Sequence, residues 1–267
     1  HALRGQAGAR ALRFEHLQGQ GGVARLKKVR FQLSQAYFAA PGLRVMKLRG
    51  DTEGAAGPGR FVEVSAPGFF LRRPFSVCGV EGDELTLAVK LAGRGTKALH
   101  ELAPGAQLEL LTGLGNGFEL SAAGERPLLL GGGSGVAPML YLARELSKLG
   151  VRPAAAIGFG SAGEVCFERE FGETCGSLRV FTLDGSRGER GLVTQALGEG
   201  FSSVFACGPL PMLRAIDEKS HVPAQFSLEA RMGCGFGACM GCTIDTVNGP
   251  RRVCKDGPVF RSGEVRW

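Results

Sequence analysis

The chain has 267 residues, 44% hydrophobic and 21% charged, which is enough for two compact domains and a small third, and which excludes a largely disordered protein. The formal net charge is +7, but the basic residues are scattered and no aromatic residues interleave with them, so a nucleic-acid surface is not expected. No run of 18 apolar residues occurs, so no membrane span is expected, and the 43 glycines stand out as marks of tight turns and close backbone approaches.

Residues 1–22, with glycines at 19, 21 and 22, show no sustained periodicity and read as a flexible lead. Residues 23–122 carry short alternating runs, Lys27-Val29-Phe31-Leu33, Leu43-Val45-Met46-Leu48, Phe61-Val62-Val64 and Leu85-Leu87-Val89, separated by Gly/Pro-rich breaks. That spacing predicts an antiparallel β-barrel or sandwich. Within it Arg73-Pro74-Phe75-Ser76 leads into a strand. An Arg can pair with a phosphate, a Ser hydroxyl can bond a ring edge and Pro fixes the approach; the plain alternative is an exposed basic turn. Gly93-Arg94-Gly95-Thr96 offers a second loop with free amides and a hydroxyl suited to phosphate.

The grammar changes for residues 123–222. Leu128-Leu129-Leu130 runs into a glycine turn, Gly131, Gly132, Gly133, Ser134 and Gly135, and then into a predicted helix, Ala137–Leu149. Strand, glycine turn and helix open a βαβ unit, and the free N–H groups at the helix start can receive a pyrophosphate, although the turn is not the G-x-G-x-x-G fingerprint. Further strands at Ala154–Phe159, Leu178–Leu183 and Ser203–Cys207, with helical segments Leu192–Leu197 and Pro211–Asp217, predict a parallel-sheet α/β domain. Cys207, Gly208 and Pro209 end the last strand at the carboxyl edge, where such sheets bind ligands. Cys207 reads either as a neighbour of a nicotinamide ring or as a small buried hydrophobe.

Residues 223–267 are dense in Gly and Cys, and such a segment needs a metal or cluster to fold. Of eight cysteines, Cys78, Cys166, Cys175 and Cys207 are dispersed, whereas Cys234, Cys239, Cys242 and Cys254 fall together. That clustering argues against a disulfide framework and for a reducing, cytoplasmic setting with a metal site. Four, two and then eleven residues separate the clustered cysteines, and plant-type ferredoxins space their first three 2Fe-2S ligands this way. Glycines 233, 235, 237 and 241 let amides turn toward the sulfurs. The alternative is a four-cysteine zinc site, which usually shows two paired spacings.

In order, RRPFSV, G-x-G-T, GGGSGVAP, CGP and the cysteine segment ending in CKDGPVF resemble the electron-transfer subunit of class 1B dihydroorotate dehydrogenase, from about Val23 to Trp267. The resemblance implies a multidomain protein: an FAD-binding barrel, an NAD-binding α/β domain and a small 2Fe-2S domain. It implies a partner, the flavin-containing dihydroorotate dehydrogenase catalytic subunit, in a heterotetramer of two of each serving pyrimidine biosynthesis. By position, Arg73, Pro74, Phe75, Ser76, Val89, Lys90, Leu91, Gly95 and Thr96 would contact FAD, and Gly131–Gly135 with Cys207–Pro209 would face NAD. The pattern departs from the family around Leu91-Ala92-Gly93. A cluster carries single electrons and NAD accepts a hydride, so a flavin must intervene; no catalytic acid, base or nucleophile is required of this chain. Phe159–Glu164 offers no cation for a 2'-phosphate, which favours NAD over NADP, although Arg187 could reach in. The competing readings are the FAD/2Fe-2S subunit of a ferredoxin-NADP transhydrogenase or sulfur reductase, and a zinc-stabilised nucleotide sensor.

Overall fold

A computed structural model of the chain describes residues 25–267; the flexible lead expected for residues 1–22 lies outside the described residues. The first unit is a closed antiparallel barrel in the order β1-β2-β5-β4-β3-β6. Its strands are β1 (Lys27–Ala40), β2 (Leu43–Arg49), β3 (Phe61–Val64), β4 (Arg73–Glu81), β5 (Glu84–Lys90) and β6 (Gln107–Leu114). Pairing of β1 with β6 closes it, so no long strand edge is left open. The alternation in sequence is the cause: Phe31, Leu33, Leu48, Val62, Leu85, Leu87 and Leu110 all point into one buried core. A short helix, α1 (Arg94–His100), follows β5 where a loop was expected. The Thr96 hydroxyl accepts the amides of Ala92 (2.9 Å) and Gly93 (3.0 Å) and so starts the helix. At the other end the buried Arg44 guanidinium donates to the carbonyls of Leu99 (3.2 Å), His100 (2.5 Å) and Leu102 (2.7 Å), which satisfies the end of α1.

The second unit is a seven-stranded sheet in the order β10-β9-β8-β7-β11-β12-β15. It is built from β7 (Pro127–Gly132), β8 (Ala154–Phe159), β9 (Ser177–Thr182), β10 (Glu189–Arg190), β11 (Ser203–Cys207), β12 (Ala224–Ser227) and β15 (Val259–Arg261). All neighbours are parallel except β12 and β15, which pair antiparallel at the edge. The helix after the glycine turn, α2 (Val136–Lys148), packs its buried face between the sheet and the barrel, where Leu140 and Leu142 join one core with Val45, Phe118 and Phe205. Helix α4 (Leu210–Lys219) follows β11.

Three details differ from the sequence reading. The segment Leu192–Leu197 contains only a single 3-10 turn, Val193–Ala196, because two β-branched residues lie in a stretch too short to close α-helical turns. Helix α3 (Glu168–Thr174) was not anticipated; Glu168 and Glu170 favour its first turn. Strands β12 and β15 belong to residues 223–267, so the expected boundary at residue 222 falls inside the sheet.

The C-terminal segment also contributes the pair β13 (Thr243–Ile244) and β14 (Arg251–Arg252), then the short helix α5 (Val253–Asp256). Asn116, just past β6, binds it as a strand would: its Nδ2 donates to the Val259 carbonyl (2.8 Å) and its Oδ1 accepts the Val259 amide (3.0 Å). No helix among the described residues is long and apolar enough to cross a membrane.

Candidate functional site: two clefts and a cysteine loop

In a sheet of this order the ligand edge lies where the connections reverse direction, at the carboxyl ends of β7 and β11. The glycines there divide the work. A Cβ on Gly135 would sit 2.2 Å from the Cys207 carbonyl oxygen, and one on Gly131 3.0 Å from Val136 Cα, so these two permit close packing of β7, β11 and α2. Gly132 and Gly133 instead line a cleft of about 340 Å³ with Gly160, Glu164, Leu192 and Pro209. Cys207 does not line it; its thiol is fully buried and burial raises its pKa. Arg187 does not reach in as a free cation, because its guanidinium is paired with Glu168 at 2.7 and 3.2 Å.

A second cleft, of about 260 Å³, opens between the barrel and the α/β unit. Arg73, Pro74, Phe75, Ser76, Lys90 and Thr96 line it, so the structure brings together most of the barrel residues singled out in sequence. Arg73 is held by stacking over Phe69 (5.0 Å) and by donating to the Leu71 carbonyl (2.5 Å), and it lies flat on Gly95, where a Cβ would be 2.5 Å from its Nε. Gly95 therefore makes room for the guanidinium. Val89 is fully buried in the barrel core and Leu91 lines a neighbouring cavity, so neither lines this cleft. Of the loop amides expected to be free, that of Gly93 is already taken by the Thr96 hydroxyl, which also accepts the amide of the preceding Ala92.

Sequence reasoning missed the far wall. Leu228, Glu229, Met232 and Pro258 of the C-terminal segment line the barrel cleft, and the Ser134 hydroxyl donates to Glu229 Oε1 at 3.2 Å. No motif marks Leu228, Glu229 or Met232, and Pro258, though it lies inside CKDGPVF, carries no local sign of facing the barrel; all four arrive only through the return of β12 and β15 to the sheet. The neighbouring cavity, about 360 Å³, contains Ser134, shared with the barrel cleft, and Gly133, shared with the sheet cleft. The two clefts therefore meet at the glycine turn.

The four C-terminal cysteines form two pairs. Cys242 Sγ and Cys254 Sγ lie 3.2 Å apart and are buried; Cys234 and the exposed Cys239 sit in the preceding loop. Cys234 Sγ accepts the amides of Ala238 (3.2 Å) and Cys239 (3.4 Å), and Cys242 Sγ accepts that of Cys254 (3.4 Å). Glycines make this turning possible: Gly235 and Gly237 have φ of +77° and +93°, which other residues rarely adopt. Arg252 fixes the loop by donating to the Gly237 carbonyl at 2.7 Å. Burial raises the pKa of Cys234, but the amide bonds from Cys239, Phe236 and Ala238 outweigh it and bring the thiol down to about 6, toward the ligating thiolate form. Cys254 is pushed up, by burial and then by the Cys242 thiol, an effect that a bound cation reverses. Among the described residues no three His, Cys, Asp or Glu side chains are gathered around one ion position. Two pairs of thiols with inward amides fit a two-iron centre with two sulfur ligands per iron.

Against this loop stands Glu63 of β3. Burial first, and the nearby Cys234 second, push its carboxyl up to about 7, with Arg72 and Arg73 opposing.

A barrel with a basic cleft, a sheet with a glycine-turn cleft meeting it, and a thiol loop beside both define a ferredoxin-reductase-like flavoprotein that carries an iron-sulfur segment. A solved NADH-dependent reduced ferredoxin-NADP oxidoreductase has this fold, with a TM-score of 0.80 and 27% identity over 89% of this chain and 90% of that one. The profile of the iron-sulfur cluster binding domain of dihydroorotate dehydrogenase B matches residues 229–266. The dihydroorotate dehydrogenase B (NAD(+)) electron transfer subunit of Geobacillus sp. (strain WCH70) is 44% identical over 222 residues, covering 78% of this chain and 86% of that protein. Its counterpart in Bacillus caldolyticus is 43% identical over the same shares. The chain belongs to the family of dihydroorotate dehydrogenase B electron transfer subunits. Membership in a family with an iron-sulfur domain displaces the zinc-sensor reading.

Proposed function

We propose that the chain passes electrons from a dihydroorotate-oxidising, flavin-containing partner subunit to NAD+, within a heterotetramer of two of each subunit that serves pyrimidine biosynthesis. The observation that carries this reading is the joining of three sites: two clefts that share the glycine turn, with the thiol loop's own segment forming the far wall of one. When bound, a 2Fe-2S cluster would supply one-electron transfer and FAD the exchange between single electrons and a hydride.

The residues have distinct tasks. Cys234, Cys239, Cys242 and Cys254 hold the iron, and the amides of Ala238, Cys239 and Cys254 hold the sulfurs. Arg73, kept flat on Gly95, would pair with a flavin phosphate, and Pro74, Phe75 and Ser76 would hold the flavin along the barrel side of the cleft. Lys90 and Thr96 close the cleft, and Val89 and Leu91 place them. Gly132 and Gly133 admit the dinucleotide pyrophosphate, while Gly131 and Gly135 hold the strands close enough for this. Pro209 bounds the same cleft, Gly208 lets the chain pass close to Gly132, where a Cβ would be 3.1 Å from the Gly132 Cα, and Cys207 supports the cleft from the core. The carboxylate of Glu164 in this cleft and the pairing of Arg187 favour NAD over NADP.

The test is to reconstitute the chain anaerobically and mix it with a dihydroorotate-oxidising flavoprotein. The expected result is dihydroorotate-dependent NADH formation that needs both proteins. A chain that stays inactive with that partner, yet accepts electrons from reduced ferredoxin, would instead support the transhydrogenase reading favoured by the likeness to the ferredoxin-NADP oxidoreductase.

A further inference from the structure

Glu63 is 1% exposed, and neither carboxyl oxygen has a hydrogen-bond partner. Burying a polar group without a partner is unfavourable, so its presence asks for a reason. The reason lies in its position. Along β3, Val62 and Val64 turn into the barrel core, and Phe61 and Glu63 turn outward, Phe61 into the core that holds Cys242 and Cys254. The Glu63 side chain lies against Gly235, the residue after Cys234; a Cβ there would be 2.4 Å from its Oε1. The Glu63 main chain pairs with Pro74, which lines the barrel cleft. One residue thus touches the thiol loop with its side chain and the cleft rim with its backbone. Arg72 and Arg73 act on the carboxyl from β4 and the loop before it, and Arg72 divides its charge with Glu109 at 2.6 Å.

We infer that Glu63 is a positioning residue for the cysteine loop, and that its buried carboxylate, in the ionised form, lowers the reduction potential of the cluster those cysteines hold. This rests on reading the four thiols as iron ligands. A carboxylate enclosed by protein is poorly screened and repels an added electron at the loop it touches. Gly235 is what allows so close an approach, since any larger residue would displace the carboxyl.

The experiment is an EPR-monitored redox titration of the complete reconstituted protein at alkaline pH, comparing wild type with Glu63→Gln and Glu63→Asp. Glu63→Gln keeps the shape and removes the charge, so the cluster midpoint should rise, with a smaller change at the flavin. Glu63→Asp keeps the charge and should stay closer to wild type than Glu63→Gln. If Glu63→Gln does not retain the cluster, Glu63→Asp must still do so with a wild-type EPR line shape; its loss as well would overturn the charge role. An unchanged midpoint in loaded Glu63→Gln also overturns it. A wild-type chain that takes up no iron fails the functional reading, whereas a loaded chain indifferent to Glu63→Gln fails this inference alone.

Discussion

Replacing Gly135 by Ala tests whether the glycine turn serves close backbone packing. The added Cβ would meet the Cys207 carbonyl oxygen at 2.2 Å, its carbon at 2.4 Å and the Gly208 nitrogen at 2.7 Å. All three are main-chain atoms at the end of a central strand and cannot swing aside as a side chain would. The turn and β11 must separate, and overpacking of this kind costs about 1–3 kcal/mol. For a chain of this size that corresponds to a fall in Tm of roughly 2–12 °C. The same movement widens the cleft lined by Gly132, Gly133 and Pro209, so KM for NADH should rise more than kcat falls. The control is Gly163→Ala, whose nearest contact would be Ser161 Oγ at 3.9 Å and which should leave both quantities near wild type. Thermal melts and steady-state NADH oxidation with a flavin-level acceptor read both effects. A Gly135→Ala protein with wild-type Tm and KM, or a Gly163→Ala protein equally damaged, would refute the reasoning.

Asn116→Ala removes both side-chain bonds to Val259 and leaves that strand's amide and carbonyl unpaired, so it should destabilise by about 1–3 kcal/mol in a denaturant titration followed by flavin fluorescence. Arg44→Met deprives three carbonyls at the end of α1 of their donor and should weaken FAD retention, measured by equilibrium dialysis, while Arg44→Lys recovers part of it. Cys239→Ala removes one iron ligand; it should abolish transfer from the partner subunit and retain part of the NADH oxidation by an artificial flavin-level acceptor. Normal partner-dependent activity in that variant would contradict the route through the cysteine loop.

Much of the fold was legible because the chain states its two periodicities plainly. Alternation placed the barrel strands, and Leu128–Leu130 followed by a glycine turn opened the sheet where β7 and α2 now stand. The cysteine spacing was legible because few ligand sets share it. What escaped reading depends on contacts distant in sequence. Nothing local in Ala224–Ser227 or Val259–Arg261 says that these short runs rejoin the sheet across an intervening loop, so the wall built from Leu228, Glu229 and Met232 could not be foreseen, and CKDGPVF marked Pro258 without showing that it faces the barrel. Helix α1 was hidden by glycines at 93 and 95, where propensity argues for a loop and Thr96 and Arg44 decide otherwise. Glu63 sits in a run that alternates like any barrel strand, and only the approach of Gly235 makes it unusual. Cys207 was open to two readings, and full burial favours the small hydrophobe.

The central claim is that Cys234, Cys239, Cys242 and Cys254 together grip iron and sulfide next to a bound flavin. Iron, acid-labile sulfide and zinc analysis of the anaerobically reconstituted chain, with an EPR spectrum after reduction by NADH, tests it most directly. The expected result is about two irons and two sulfides per chain and a reduced 2Fe-2S signal that appears on adding NADH. Stoichiometric zinc without sulfide, or a cluster that NADH cannot reduce in flavin-loaded protein, would contradict it.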